Sequence, residues 1–301
     1  MIATKGVLTA LITPLNKDGT LCEECLENMI EFQARNRVHG LFLTGTAGEG
    51  YILPLQVRIR VYEKAREFAP STMYILPHIG ASTLDAVLAL ARVARDLGYK
   101  DISIIAPTFH KPTKKGLVEY YAEIASKVDL NIIVYNNKNR QGYNIAPEDF
   151  EAIVNRVPPV KGIKDTSRDP AQLLELKVKF GHKYFIAGAG DDLIFYTFII
   201  GAHAHVCGIS NIIPELVVDL YEKVLEGKYM EALNIQYKIN LLRKQIAKLT
   251  SESQEALREI GKVRGINMGY PPVQMVHEFD KITLNETIKL LESILRGNDP
   301  L

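Results

Sequence analysis

Eight times between residue 7 and about residue 225, a short apolar run gives way to a segment with helical spacing, and this alternation limits what the chain can fold into. The runs are Val7 to Pro14, Gly40 to Thr44, Tyr74 to Gly80, Asp101 to Pro107, Asn131 to Asn136, Val160 to Thr166, Tyr184 to Gly188 and Ala204 to Ser210. After the first, Leu26, Met29 and Ile30 recur at the spacing of a helix face; after the third, Leu84, Val87, Leu88 and Ala91 do the same. Strands that alternate with helices pair in parallel. Eight such units without a break fit a closed (β/α)8 TIM barrel better than an open doubly wound sheet. From Pro214 no strand signal returns, and helices are expected at about 214–227, 229–249, 252–263 and 284–296. A turn at Gly269-Tyr270-Pro271-Pro272 precedes a short helix around Val273 to Val276. The expected organisation is an α/β barrel over residues 1–225, carrying the active site, and a C-terminal helical domain over 226–301.

Charge and cysteine content remove several function classes. The formal net charge is +1, so no basic excess argues for nucleic acid and no acidic block suggests a solvating tail. There is no apolar run of about 18 residues and no signal-peptide layout before the first strand, so a cytoplasmic protein without membrane contact is expected. Cys22 and Cys25 form a C-x-x-C, but Cys207 lies far off and no second pair completes a zinc site, so both read as ordinary cysteines of the first helix. The glycines of Gly45-Thr46-Ala47-Gly48 have the wrong spacing for a dinucleotide fingerprint or a phosphate-binding loop, which removes the nicotinamide reading.

In a barrel the chemistry is built at the C-terminal ends of the strands. The sixth run, Val160-Lys161-Gly162-Ile163-Lys164-Asp165, places Lys164 at such an end among apolar neighbours. A lysine held there has a lowered pKa, and its neutral amine can attack a carbonyl to form a Schiff base. A strand-end lysine reaching solvent is the ordinary alternative. Tyr135 ends the fifth run, and adjacent strands lie about 5 Å apart, so a phenol and an amine can share one substrate carbon. The turn after the second run, Gly45 to Glu49, offers backbone N–H groups and the Thr46 hydroxyl to a carboxylate, unless it is a plain strand-to-helix turn. Arg140, after the fifth run, suits a carboxylate or phosphate, with a surface ion pair as its alternative. Residues Gly188 to Asp192 lack bulk and leave room for substrate, and Asp192 can cap the next helix. Val206 ends the eighth run as a further lining position, and His78 reads as packing.

These motifs in this order resemble the dihydrodipicolinate synthase and N-acetylneuraminate lyase superfamily of class I pyruvate aldolases. The matches are Thr13-Pro14, Gly45 to Glu49, Pro107 to Pro112, Tyr135-Asn136 with Arg140 and Gly142, Gly162 to Ser167, and Gly188 to Asp192. The resemblance implies a (β/α)8 barrel with a C-terminal helical domain, assembled as a homotetramer built from two dimers. It implies that Lys164 forms the imine with a 2-oxo acid, that Tyr135 moves the proton, and that Gly45, Thr46 and the N–H groups at Thr46-Ala47 hold the acid's carboxylate. No cofactor and no metal are expected, because the imine is its own electron sink.

Departures from the family pattern bear on which reaction is run. Dihydrodipicolinate synthases carry a second hydroxyl where this chain has Ala47, and a tyrosine reaching in from a neighbouring subunit where it has Phe109. Neither alanine nor phenylalanine can carry a proton. Lys138 replaces the usual proline after the strand-five motif. The expectation is therefore reversible aldol cleavage of a 2-keto-3-deoxy sugar acid, or a related 2-oxo acid, to pyruvate and an aldehyde. Arg140, Lys138, Asn137 and the loop from Phe109 to Lys111 would meet the distal half, which points to an anionic aldehyde. The alternatives are 4-hydroxy-tetrahydrodipicolinate synthase, a Schiff-base sugar-acid dehydratase, and a non-catalytic barrel that binds a 2-oxo acid. Ser210, His110 or water are the candidates to stand in for the missing hydroxyls.

Overall fold

The computed structural model describes residue 2 and residues 4–297; Met1, Ala3 and the end of the expected helical tail, 298–301, lie outside the described residues. Eight strands run β1 Gly6–Ala10, β2 Gly40–Leu43, β3 Tyr74–Pro77, β4 Asp101–Ile105, β5 Asn131–Asn136, β6 Val160–Asp165, β7 Phe185–Ala189 and β8 Ala204–Cys207. Between and after them lie α1 Glu23–Arg35, α2 Leu55–Phe68, α3 Leu84–Asp96, α4 Lys114–Lys127, α5 Lys138–Gln141, α6 Pro147–Arg156, α7 Pro170–Phe180 and α8 Ile194–Ile199. Helix α9 Pro214–Leu225 follows β8 and packs against β1 in the helical layer, and the tail holds α10 Tyr229–Ile246, α11 Ser253–Gly261 and α12 Lys281–Leu295.

All strand pairings are parallel in the order β3-β2-β1-β8-β7-β6-β5-β4. A parallel bridge from His78 to Ser103 brings the two edge strands together, so the sheet is a nearly closed (β/α)8 barrel, as the eightfold repeat requires. Successive strand residues point to opposite faces, and here both faces are covered. Leu8, Phe42, Leu76, Ile105, Tyr135 and Val206 fill the barrel interior. Leu41, Ile102, Ile132 and Ile163 meet the helical layer. Helix α3 shows the complementary pattern: Val87, Leu88, Leu90, Ala91 and Ala94 are buried on one face, and Thr83 caps it by accepting from Ala86 N. Truncating Leu90, fully buried there, to alanine would cost about 2–5 kcal/mol.

Several strands are shorter than their apolar runs. Leu11 to Pro14, Ile79-Gly80, Ala106-Pro107 and Gly208 to Ser210 have left the ladder to build loops at the mouth of the barrel. Helix α12 starts at Lys281, ahead of the expected 284, because Asp280 accepts from Thr283 N. Cys22 and Cys25 are joined by a disulfide across the first turn of α1, which corrects their reading as ordinary helix cysteines. With a separation of 3 the pair spans about one helical turn, which brings the two sulfurs to one face. Among the described residues no helix is long and apolar enough to cross a membrane.

The tail is tied to the barrel mouth rather than set beside it. Arg258 on α11 donates to Thr13 O at 3.0 Å and pairs with Glu49, which closes the turn after β2. Tyr270 and Leu15 exchange backbone hydrogen bonds in an antiparallel bridge.

Candidate active site

Tyr135 and Lys164 are direct partners in the β5–β6 register, and on its other side Lys164 pairs with Ala187, which leaves space beside the amine. Lys164 Nζ lies 3.7 Å from the centre of the Tyr135 ring and 3.9 Å from that of Phe42, and the residue is 4% exposed. Burial drives this amine below its ordinary value, with the Tyr135 phenol pulling back in part. Burial alone would push the phenol up. The Lys164 charge and the hydrogen bonds at its oxygen outweigh that, so Tyr135 sits below the ordinary tyrosine value. A poised amine and an acidified phenol thus face each other in a buried site.

The Tyr135 hydroxyl is 3.1 Å from Thr46 Oγ1 and accepts from Asn137 Nδ2 at 2.8 Å; the same amide reaches Thr46 Oγ1 at 3.3 Å. Asn137 was expected to meet the distal part of the substrate, and the structure instead turns it inward onto the phenol. It holds the phenol oxygen as a donor only, and neither Ser210 nor His110 reaches it to replace the missing hydroxyls. Ser210 Oγ donates to Cys207 O and is buried elsewhere, and His110 packs on Phe109 in the solvent.

The Gly45–Gly50 segment is a tight turn closed by Glu49 N to Thr46 O and Gly50 N to Gly45 O, both 3.1 Å. Gly45 is required because a Cβ there would overlap Phe42 Cε1, the ring that covers Lys164. Among the described residues the N–H groups of Thr46 and Ala47 find no acceptor in the protein. Two unpaired donors beside a hydroxyl can take up a carboxylate. Above this turn opens a cavity of about 380 Å³, walled by Thr46, His78, Ile105, Phe109, Arg140 and Glu252 among others. Lys164 and Tyr135 lie beneath its wall rather than on it, and Thr46 belongs to both.

Other expected positions fall as follows. Val206 faces the barrel interior with Ala187 and Ala189, and Ala47 packs at the edge of that cluster. Gly188 does not: a side chain there would run into Thr197 and Leu173 of the helical layer, so the room in the lumen comes from the two flanking alanines. Phe109 is 92% exposed, with φ +67°, and stands at the rim of the cavity, far from the burial that holds Tyr135. Asp192 caps no helix; it pairs with Arg168 and Arg243, while Asp191 accepts from Gly208 N and Ile209 N. Arg140 is on the cavity wall, yet one of its nitrogens already lies 2.6 Å from both carboxylate oxygens of Glu252. His78 packs edge-on to Tyr135 at 5.3 Å, and burial holds its imidazole well below the ordinary value, hence neutral.

The sequence reading passed over Phe42, whose inward parity on β2 was available from the alternation. It also passed over Glu252, Glu255 and Arg258. Their spacing of three residues along a helix was a signal, but nothing local told where the tail would dock.

A barrel with a buried lysine at the end of β6 and a hydrogen-bonded tyrosine opposite it on β5 is an arrangement for imine chemistry. The chain belongs to the Dihydrodipicolinate synthetase family, whose profile matches residues 3–291. It is similar to 4-hydroxy-tetrahydrodipicolinate synthase of Alkaliphilus oremlandii, with 32% identity over 232 residues, 77% of this chain and 79% of that one. In structure it is similar to Ruminococcus gnavus sialic acid aldolase, with TM-score 0.91 and 21% identity over 97% of this chain and 98% of that one. Dihydrodipicolinate synthase from Aquifex aeolicus superposes with TM-score 0.87 and 24% identity, over 99% of each chain. The protein is a carbon–carbon lyase of the Schiff-base, pyruvate-dependent class.

Proposed function

We propose that the protein reversibly cleaves a 2-keto-3-deoxy sugar acid, or a related 2-oxo acid, to pyruvate and an aldehyde. The observation that carries this reading is the Lys164 amine held between the Phe42 and Tyr135 rings, with Tyr135 anchored by Thr46 and Asn137 and no further hydroxyl from Ala47 or Phe109. The neutral amine adds to the C2 carbonyl, and loss of water leaves a protonated imine. Tyr135 takes the C4 hydroxyl proton, the C3–C4 bond opens, and its electron pair moves through C3 and C2 to the imine nitrogen. The aldehyde departs. Protonation of the enamine at C3 and hydrolysis of the imine then release pyruvate. The free N–H groups of Thr46 and Ala47 receive the C1 carboxylate at the turn that Gly45 permits.

A second reading, 4-hydroxy-tetrahydrodipicolinate synthase, is favoured by the name of the curated relative at 32% identity. Against it stand Ala47, Phe109 and the engagement of Arg140 by Glu252. We place the enzyme in the cytoplasm, and as a homotetramer on the family resemblance.

The test is incubation with pyruvate and borohydride, followed by peptide mass spectrometry. A reduced pyruvyl adduct on Lys164 is expected. A folded protein that gives no adduct with excess pyruvate would sink the reading.

A further inference from the structure

We propose that Glu252 sets the aldehyde specificity of this site. By neutralising Arg140 it selects an uncharged, hydroxylated aldehyde and turns away aldehydes that carry a carboxylate or phosphate. This deepens the aldolase reading and rests on it.

Arg140 rises from α5 and Glu252 stands immediately before α11, so the pair joins the barrel rim to the tail across the cavity wall. Glu252 occupies a helix-capping position, but its carboxylate accepts no bond from the helix N–H groups. It is held by Arg140 Nη2, 2.6 Å from each oxygen, and by Gln254 Nε2 at 3.3 Å. The carboxylate is therefore committed to the cavity and not to the helix. Among the described residues the charged side chains on the wall are Arg140, Glu252 and Glu49, and Glu49 is bound to Arg258.

An anionic aldehyde entering this cavity finds the guanidinium already matched, with a like charge beside it. To reach Arg140 it must displace Glu252 or settle within a few ångströms of it, and discrimination built from a repulsive group is a recognised means of specificity. Hydroxyl groups meet no such obstacle. Tyr51 OH and Thr108 Oγ1, 2.7 Å apart, Thr46 Oγ1 and the Gln254 amide offer donors and acceptors, and Glu252 itself accepts from hydroxyls. The anionic aldehyde expected from the sequence rested on Arg140 together with Lys138, Asn137 and the Phe109–Lys111 loop; Arg140 is engaged by Glu252, and Lys138 and Lys111 are not among the residues that line the cavity.

The experiment measures kcat/KM of the full chain for condensation of pyruvate with D-glyceraldehyde, D-erythrose, D-glyceraldehyde 3-phosphate and succinic semialdehyde, in the wild type and in Glu252→Gln. The wild type is expected to prefer the neutral pair. Glu252→Gln is expected to raise kcat/KM for the two anions by roughly threefold to tenfold, mainly through KM and less at high salt. Adding Arg140→Ala to that variant should remove the gain. Should Glu252→Gln fail to fold, Arg140→Gln alone serves: it leaves Glu252 unopposed and should lower kcat/KM for the anions by a larger factor than for the neutral aldehydes. Wild type that prefers an anionic aldehyde overturns the proposal, as does an unchanged preference in the variants. Pyruvate trapped on Lys164 without turnover of either neutral aldehyde overturns it as well. Failure of the underlying aldolase reading is distinct, because then the wild type traps no pyruvate at all.

Discussion

Replacing Glu255 by glutamine probes how the helical tail grips the barrel mouth. Arg258 Nη1 lies 2.9 Å from Glu49 Oε1 and 2.8 Å from Glu255 Oε1, and Nη2 binds the second Glu49 oxygen. The Arg258, Glu49 and Glu255 side chains are 4%, 1% and 5% exposed. One guanidinium thus serves two buried carboxylates, with the charge of Glu252 nearby. Burial first, then the hydrogen bond and charge of Glu49, push the Glu255 carboxyl up to about 8, while Arg258 pulls it back. In the unfolded chain the ordinary glutamate value of 4.5 applies. Between these values the folded protein binds the extra proton, so this stabilisation is complete below pH 4.5 and is lost as pH rises toward about 8. The slope is at most about 1.4 kcal/mol per pH unit, and relaxation of the cluster reduces the total to on the order of 2 kcal/mol. Glu255→Gln keeps an oxygen for Arg258 and can donate to Glu49. Urea melts at one ionic strength should therefore coincide with wild type near pH 5 and show the variant about 1–3 kcal/mol more stable near pH 9. Parallel wild-type and variant curves over that range would refute the shared-proton reasoning. Arg258→Met supplies the opposite sign: it leaves buried carboxylates without a cation and should cost about 3–5 kcal/mol at high pH, less at low pH.

Three further outcomes follow from the same geometry. Lys164→Met should abolish turnover and borohydride trapping yet stabilise the fold by about 1–2 kcal/mol near pH 7, since it removes a desolvated amine; a less stable variant in thermal melts would contradict this. Gly45→Ala forces Phe42 off the amine and should lower kcat on the order of tenfold or more with about 1–3 kcal/mol lost in stability, whereas unchanged kcat would show that the Phe42 cover is dispensable. Dithiothreitol should reduce Cys22–Cys25 at a cost of at most about 2 kcal/mol, because the chain segment it closes is so short, and aldol turnover should persist in the reduced protein.

The barrel was legible because its signal is repeated: eight apolar runs at similar intervals leave few topologies, and single errors at strand ends do not change the count. Lys164 and Tyr135 were legible because strand-end position and side-chain parity follow from the local pattern, and the ladder then sets them opposite each other. What escaped is non-local. Arg140 meets Glu252 across 112 residues and Glu49 meets Arg258 across 209, and no periodicity encodes such pairings. Gly188 was misplaced for a different reason: a glycine at a strand end suggests open space on either face, and only the register with β6 and β8 shows that its face is the outer one.

Asn137 bears on how a site without the two expected hydroxyls can still move a proton. Its amide nitrogen donates to Tyr135 OH and cannot accept, so it stabilises the phenolate without joining a relay. The proposed retro-aldol step would need no more than that, because the proton that Tyr135 would take from the C4 hydroxyl is the one later required at C3. In the proposed mechanism the phenol's lowered pKa is a catalytic quantity, and it depends on Lys164, Thr46 and Asn137 together once the opposing effect of burial is overcome. Asn137→Leu deletes one donor to the phenolate, a contribution of about 1.5–3 kcal/mol for a bond to a charged group. The Tyr135 pKa should rise, with kcat near neutral pH falling on the order of tenfold to a hundredfold. Because the loss lies in the population of phenolate, it should diminish as pH is raised. A merely structural Asn137 would instead lower kcat by the same factor at every pH, and that flat profile is the result that would remove the amide from the proton chemistry.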